Sequence, residues 1–208
     1  MMERLLLTSY FKKVANLVPR FLETNPVGNK VCFITTASIP EKVDFFVSAG
    51  KKALEKLGME IIELEVLSAS TKEINDKIIT SDIIYVSGGN TFFLLDAFRK
   101  TGVDKLIIEQ IHNGKPYIGE SAGSMILSEN IEYASLMDSP KVANGLNGDY
   151  QALAITEFSI VPHSNNVPFK NIVKKIDKTY SSKYDLNLIS NNQAIMIIGK
   201  DITLLKVE

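Results

Sequence analysis

Residues 116–127 have the sequence PYIGESAGSMIL, in which a short apolar strand-like run meets a helix-like run at Gly119-Glu120-Ser121-Ala122-Gly123. Small residues at such a junction allow the end of a strand and the start of a helix to approach closely. Sharp strand-to-helix turns of this kind are typical of α/β proteins, whose sites collect at the carboxyl ends of parallel strands. The stretch therefore predicts both the fold class and the position of a site.

Strands and helices alternate on both sides of this junction. The sequence predicts strands over 4–7, 30–35, 59–66, 83–86, 116–118, 158–161, 186–189, 194–198 and 202–206. It predicts helices over 11–22, 41–57, 71–80, 91–99, 103–112, 121–127 and 168–180. This order favours a three-layer, flavodoxin-like α/β fold: a mostly parallel sheet with helices on both faces and an antiparallel edge, closed by a hairpin around Gly199-Lys200-Asp201. The longest predicted loop spans 138–151.

Composition limits the classes of function that are open to the chain. Its 208 residues, 45% of them hydrophobic, suit one domain over 1–208. A net charge of −1 provides no general attraction to nucleic acid or to anionic membranes. No apolar run is long enough for a signal peptide or a membrane span, so we expect a cytoplasmic protein. The single cysteine, Cys32, lies in an apolar run and is expected to be a buried packing residue.

Ser121 is the candidate nucleophile. The pentapeptide around it fits the pattern G-x-S-x-G, in which a strained strand-to-helix turn makes the serine hydroxyl project from the sheet. The helix that follows would favour negative charge near its first turn. The alternative is a tight turn in which Ser121 only caps the helix.

A second glycine turn, Ser87-Gly88-Gly89-Asn90, follows another predicted strand. Acyl transfer to serine needs backbone N–H donors for the oxyanion, often one from the residue after the nucleophile and one from a neighbouring loop. The candidate donors are therefore Gly88, Gly89 and Ala122. A simple turn capped by Asn90 or Thr91 is the structural alternative. A dinucleotide site is not favoured, because the spacing G-x-G-x-x-G is absent.

Only two histidines could serve as the general base for the serine. His112 lies in the last turn of a predicted helix, where capping and the helix dipole explain it. His163 follows the predicted strand 158–161 and begins a polar loop, so it is the favoured base.

The residue that orients this base is left open by the sequence. Asp138, Glu157 and Asp185 are available carboxylates, and each could equally be a surface charge. Asn191 and Asn192 offer amide oxygens, which can hold the imidazole tautomer but stabilise its cation less.

Taken together, these motifs resemble the peptidase E (α-aspartyl dipeptidase) family of serine peptidases over most of the chain. The resemblance is carried by Gly88-Gly89-Asn90-Thr91-Phe92, Leu94-Leu95, Gly119-Glu120-Ser121-Ala122-Gly123-Ser124, Val161-Pro162-His163 and Asn192-Gln193-Ala194. It implies a sheet similar to that of class I glutamine amidotransferases, with serine replacing cysteine at the turn. It also implies Ser121 as nucleophile, His163 as base, the amides of Gly88, Gly89 and Ala122 as oxyanion hole, and hydrolysis of short N-terminal aspartyl peptides without metal or cofactor.

Two departures from this family pattern bear on function. Relatives commonly carry an acid near the position of Asn191, so the triad is either Ser-His-Asn or a Ser-His-Asp completed by Asp138, which matches another acidic family position. Aspartate specificity also requires a fixed cation. The only arginines, Arg4, Arg20 and Arg99, all precede His163, and the lysines beyond it lack the guanidinium fork.

The sequence thus predicts a serine-type peptidase that hydrolyses small peptides through an acyl-enzyme on Ser121. The alternatives are an esterase-like serine hydrolase and a weakened relative that binds a peptide or small molecule without turnover. The expected partner is a small peptide, with no nucleic acid and no membrane. The oligomeric state is open, with a homodimer as one option.

Overall fold

The structure, a computed structural model, describes residues 2–208. Its strands are β1 (Arg4–Thr8), β2 (Lys30–Ile34), β3 (Glu60–Leu64), β4 (Ile83–Val86), β5 (Tyr117–Glu120), β6 (Ser159–Val161), β7 (Leu186–Leu188), β8 (Gln193–Ile198) and β9 (Asp201–Lys206). Its helices are α1 (Phe11–Val14), α2 (Val18–Leu22), α3 (Phe45–Lys56), α4 (Thr71–Thr80), α5 (Thr91–Thr101), α6 (Val103–His112), α7 (Ala122–Met125) and α8 (Lys170–Tyr180). No helix in this part of the chain is both long and apolar enough to cross a membrane.

A central sheet has the strand order β3-β2-β4-β5-β1-β8-β9. The pairs from β3 to β1 are all parallel, whereas β8 pairs antiparallel with both β1 and β9. This arrangement confirms the predicted mostly parallel sheet with an antiparallel edge. β5, which carries the G-x-S-x-G turn, lies between β4 and β1 in the middle of the sheet.

Side chains alternate between the two faces of this sheet, as the strand geometry requires. On β1, Leu5 and Leu7 join one buried apolar cluster and Leu6 joins the other. On β2, Cys32 and Ile34 again pack on the first face. Both faces are thus covered, which is why these strands are nearly continuous apolar runs.

The segment 11–22 is not the continuous helix that the sequence predicts. It consists of α1, a 3₁₀ turn over Ala15–Leu17, and α2. Pro19 lies in the first turn of α2, where its missing N–H is tolerated; inside a longer helix the ring would break the hydrogen-bond ladder. α3 likewise begins only at Phe45, after a non-helical stretch that contains Pro40.

The main correction concerns 186–189, predicted as a closing strand beside the last two. β7 instead pairs in parallel with β6 in a separate two-stranded sheet, with Val161 opposite Leu188. Because the two strands run in the same direction, their carboxyl ends lie together. The residues that follow them, His163 and Asn191, are therefore delivered to one place.

Candidate active site

Ser121 lies at the end of β5 in a strained backbone conformation, with φ 49° and ψ −108°. Non-glycine residues rarely adopt positive φ, and strain of this kind is concentrated at functional sites. The Ser121 amide is held by the carbonyl of Thr8 at 2.9 Å. At Gly123 a Cβ atom would lie 2.2 Å from the carbonyl oxygen of Val86, so only glycine allows α7 to approach the sheet this closely. Ser121 is thus held in a sharp, strained turn between the end of β5 and the start of α7.

His163 follows β6, and its ring reaches the serine. Its Nε2 atom lies 3.1 Å from Oγ of Ser121, which is hydrogen-bond distance. Its backbone also has positive φ, at 63°. The ring of Phe169 stacks on the imidazole with centroids 4.7 Å apart. The structure therefore brings together the two residues predicted as nucleophile and base.

Asn191 completes this arrangement on the other side of the imidazole. Its Oδ1 atom lies 2.8 Å from Nδ1 of His163. An amide oxygen only accepts hydrogen bonds, so Nδ1 carries the proton and the lone pair of Nε2 faces Ser121. This is the tautomer that a general base needs.

Ser9, at the end of β1, is the residue that sequence reasoning missed. Its hydroxyl donates to Oδ1 of Asn191 at 2.8 Å, accepts the backbone N–H of His163 at 2.8 Å, and lies 3.1 Å from Nδ1. The bond to Oδ1 orients the amide so that its oxygen, and not its NH₂ group, faces the imidazole. The signal in the sequence was a polar residue directly after an apolar strand that neighbours the elbow strand.

Burial lowers the pKa of His163 below its usual value of 6.5, and the hydrogen bond to Asn191 opposes this shift. Burial wins because a neutral amide provides no negative charge to stabilise the imidazolium. The neutral, basic form of His163 is therefore favoured at neutral pH.

Asp138 is not connected to the imidazole. Its Oδ2 atom accepts the backbone N–H of Thr91 at 2.8 Å and the Thr91 hydroxyl at 2.6 Å. Burial raises the pKa of Asp138 to about 6, although the two bonds from Thr91 oppose the shift. Of the two residues left open by the sequence, the structure joins Asn191 to His163 and places Asp138 at the start of α5.

The remaining candidates for the orienting residue also lie apart from His163. Glu157 and Asp185 are exposed. Asn192 donates to the carbonyl of Val207 and accepts from Ser190, so it holds the end of β9.

The amides predicted for the oxyanion hole lie around the same turn. Among residues 2–208, no backbone carbonyl accepts a hydrogen bond from the amides of Gly89 or Ala122. The amide of Gly88 also stabilises the carboxylate of Glu120. Gly89 has φ 136°, and a Cβ there would lie 2.1 Å from the carbonyl oxygen of Ala37.

Glu120 is a buried acid directly beside the nucleophile. Its carboxylate accepts hydrogen bonds from the Tyr85 hydroxyl at 2.7 Å and from the Phe11 amide at 2.9 Å. Burial nevertheless raises the pKa of Glu120 to about 7. No lysine or arginine within residues 2–208 forms an ion pair with it.

Ser121, His163 and Asn191 open into a cavity of about 630 Å³. This volume suits a ligand the size of a short peptide. Within the described part of the chain, no group of three or more histidine, cysteine, aspartate or glutamate side chains is arranged to hold a metal ion. Cys32 is buried, which raises its pKa to about 12 and leaves the thiol unreactive.

Comparison with known proteins identifies the family. The family model described as Peptidase family S51 matches residues 5–205. An uncharacterized peptidase of Listeria monocytogenes serovar 1/2a is 51% identical over 201 residues, which cover 97% of each chain. Peptidase E of Haemophilus influenzae is 30% identical over 136 residues, covering 65% of this chain and 58% of that relative.

Solved structures agree with this assignment. A protein of Listeria monocytogenes EGD-e, designated a candidate Peptidase E, superposes with a TM-score of 0.94 at 49% identity, and the match covers 100% of both chains. A peptidase from an acI-B1 Actinobacterium shares the fold, with a TM-score of 0.72 at 21% identity over 100% of this chain and 88% of the other. The chain belongs to Peptidase family S51, and its fold and function class are those of a peptidase.

Proposed function

We propose that this chain is a serine-type peptidase that cleaves short peptides through an acyl-enzyme on Ser121. The observation that carries the proposal is the continuous hydrogen-bonded series from Ser121 Oγ to His163 Nε2 and from His163 Nδ1 to Asn191 Oδ1. The strained backbone of Ser121 and its place at the end of a central strand support the same role.

In the first half of the reaction, Nε2 of His163 takes the proton of the Ser121 hydroxyl while Oγ attacks the scissile carbonyl carbon. The amides of Gly89 and Ala122 donate to the oxyanion of the tetrahedral intermediate. The imidazolium then gives its proton to the leaving amine, the C–N bond breaks, and the acyl group stays on Oγ.

In the second half, His163 takes a proton from water, and the resulting hydroxide attacks the ester carbonyl. Collapse of the second intermediate returns the proton to Oγ and releases the acid. Asn191 keeps Nδ1 protonated throughout. Because its amide is neutral, it stabilises the imidazolium less than a carboxylate would, so we expect turnover to be slower than with a Ser-His-Asp triad.

The neutral Asn191 also supports a second candidate function, a peptide-binding protein with little turnover. The same pocket and the same binding contacts would serve it. The two candidates differ in whether an acyl-enzyme forms and is then hydrolysed.

Labelling with a fluorophosphonate probe tests the nucleophile. We expect the wild-type chain to be labelled at Ser121, the variant Ser121→Ala not to be labelled, and the matched control Ser182→Ala, at an exposed serine, to behave as wild type. Absence of labelling in the wild type, or equal labelling of Ser121→Ala, would overturn the proposal. If the wild-type chain is labelled, an assay of dipeptide hydrolysis distinguishes the two candidate functions. A peptidase hydrolyses dipeptides with repeated turnover, whereas a binding protein does not.

A further inference from the structure

The charged side chains that line the active-site cavity are all acidic. They are Glu41, Glu120 and Asp138. No lysine or arginine of residues 2–208 contributes to the lining or pairs with any of the three. Lys42 and Lys141 are neighbours of lining residues in the sequence, but both are exposed and lie outside the lining. The side-chain carboxylate of a substrate's aspartate would therefore meet negative charges in this cavity and no lysine or arginine to pair with.

The rest of the cavity wall is strongly apolar at its mouth. Val43 is 58% exposed, Phe45 62%, Val142 40% and Val167 88%. Phe45 packs edge-on against Phe46, with ring centroids 6.0 Å apart, so two aromatic rings stand together on this wall. Exposed apolar side chains that converge on one cavity gain free energy when an apolar ligand group covers them.

Asp138 has an oxygen available for a ligand. Both of its hydrogen bonds, from the amide and the hydroxyl of Thr91, go to Oδ2. These two bonds fix the carboxylate at the start of α5, in the lining of the cavity, and within residues 2–208 no hydrogen bond to Oδ1 is formed. A fixed carboxylate oxygen is the natural partner of an ammonium group. The free amine of a peptide carries that charge at neutral pH.

We infer that the cavity takes peptides with a free N-terminal amine and an uncharged, apolar first side chain, and that it discriminates against an N-terminal aspartate. Asp138, with Glu41 nearby in the same lining, binds the amine, and the wall of Val43, Phe45 and Val142 covers the side chain. The inference rests on the proposed function, because the bound peptides are substrates only if the chain is a peptidase. It departs from the aspartyl specificity that the family resemblance implies.

The test uses the variant Ser121→Ala, in which peptides bind without being cleaved. Calorimetry would compare leucyl-alanine, aspartyl-alanine and N-acetyl-leucyl-alanine, which share the same second residue. We expect the Kd of aspartyl-alanine and that of the acetylated peptide each to be at least about tenfold higher than that of leucyl-alanine. Equal or tighter binding of aspartyl-alanine, or no binding of any peptide at millimolar concentration, would overturn the inference.

A second variant tests the amine-binding role of Asp138. Added to Ser121→Ala, Asp138→Asn keeps an oxygen for Thr91 but loses the charge. We expect it to raise the Kd of leucyl-alanine about tenfold and to leave that of the acetylated peptide unchanged. The control Asp201→Asn, at an exposed site on the β8–β9 hairpin, should change neither. An equal effect of Asp138→Asn on both peptides would show a structural role and contradict the assignment.

The result of the peptide-binding test can be distinguished from the result of the labelling test of the proposed function. Fluorophosphonate labelling reports the nucleophile whatever peptide the cavity prefers. If Ser121 is labelled and aspartyl-alanine is the better ligand, the peptidase stands and the specificity falls. If the leucyl peptide is preferred and Ser121 is not labelled, the reverse holds.

Discussion

Oδ1 of Asn191 lies 2.8 Å from Nδ1 of His163, at the position where a carboxylate would complete a charged Ser-His-acid triad. The amide fixes the imidazole tautomer but contributes no negative charge. This single contact separates two properties that a carboxylate combines, orientation of the base and stabilisation of its cation.

Replacing Asn191 by aspartate restores the charge without changing the size of the side chain. Ser9 can still donate to the oxygen that faces His163. We expect Asn191→Asp to raise kcat/KM at least about tenfold, because a carboxylate stabilises the imidazolium of the transition state. Steady-state hydrolysis of a dipeptide measures this, with Asn192→Asp as the matched control. Unchanged kinetics would show that the charge behind His163 does not limit the rate.

Removing the Ser9 hydroxyl should impair the orientation of the base, His163. Ser9→Ala leaves the backbone N–H of His163 without its partner and frees the Asn191 amide to rotate. Loss of one such buried hydrogen bond costs about 1–3 kcal/mol, so we expect kcat to fall about tenfold with little change in KM. Rescue by Ser9→Thr, which keeps a hydroxyl, would support a positioning role. A fall that Ser9→Thr does not rescue would contradict it.

The pH dependence of labelling should report the buried imidazole. In the proposed mechanism His163 acts as base only when it is neutral, and burial lowers its pKa below 6.5. Labelling should therefore persist as the pH falls through 6.5 and be lost only below it. Because Glu120 and Asp138 also face the cavity, the titration of His163 should be followed separately by the NMR signals of its ring protons. A labelling midpoint above 6.5 would contradict the prediction.

The free energy of unfolding should depend on pH through the titration of Glu120. Its native pKa of about 7 lies above the ordinary 4.5, so the folded chain binds this proton more tightly than the unfolded chain. The contribution of Glu120 to the free energy of unfolding should then fall by about 3 kcal/mol as the pH rises from 4.5 to 7.

The variant Glu120→Gln cannot titrate and should not show this fall. Subtracting its unfolding free energy, measured with urea at several pH values, from that of the wild type isolates the effect, since His163 is common to both. Glu129→Gln, at an exposed position, is the control and should follow the wild type. A difference curve that is flat or rises with pH would refute the assignment.

The close approach of α7 to the sheet should make Gly123 intolerant of any side chain. Gly123→Ala places a Cβ atom 2.2 Å from a backbone oxygen, which cannot move away as a side chain could. We expect a loss of about 3 kcal/mol or more in unfolding free energy, together with loss of labelling at Ser121. Gly148→Ala is the comparison: at φ 83° with no atom within 4 Å of the added Cβ, it should cost only about 1–2 kcal/mol. Similar losses in the two variants would mean that crowding at Gly123 is unimportant.

The elements that the sequence predicts to the residue are those with local signals. α4 and β4 have the predicted bounds, and Ser70 caps α4 by accepting the amide of Glu73. The errors arise where distant contacts decide. Nothing in the sequence near β7 shows that its partner is β6 and not the sheet edge, because a short apolar strand can pair with either.

The same distinction holds for the site. The contact between Ser121 and His163 could be predicted because a motif marks the first and the second is one of only two histidines. The choice between Asp138 and Asn191 depends on the pairing of β6 with β7, and the role of Ser9 depends on a contact across 154 positions of the chain. Such relationships exist only in the folded chain.

The distance along the chain between Ser9 and Asn191 also governs when the site can form during synthesis. Asn191 lies two residues before β8, and β8 pairs with β1, the strand that Ser9 follows. Residues 182 positions apart in the chain must therefore meet before the imidazole is oriented. A ribosome has to emit both segments first, so His163 cannot be held in this orientation until Asn191 has been synthesised.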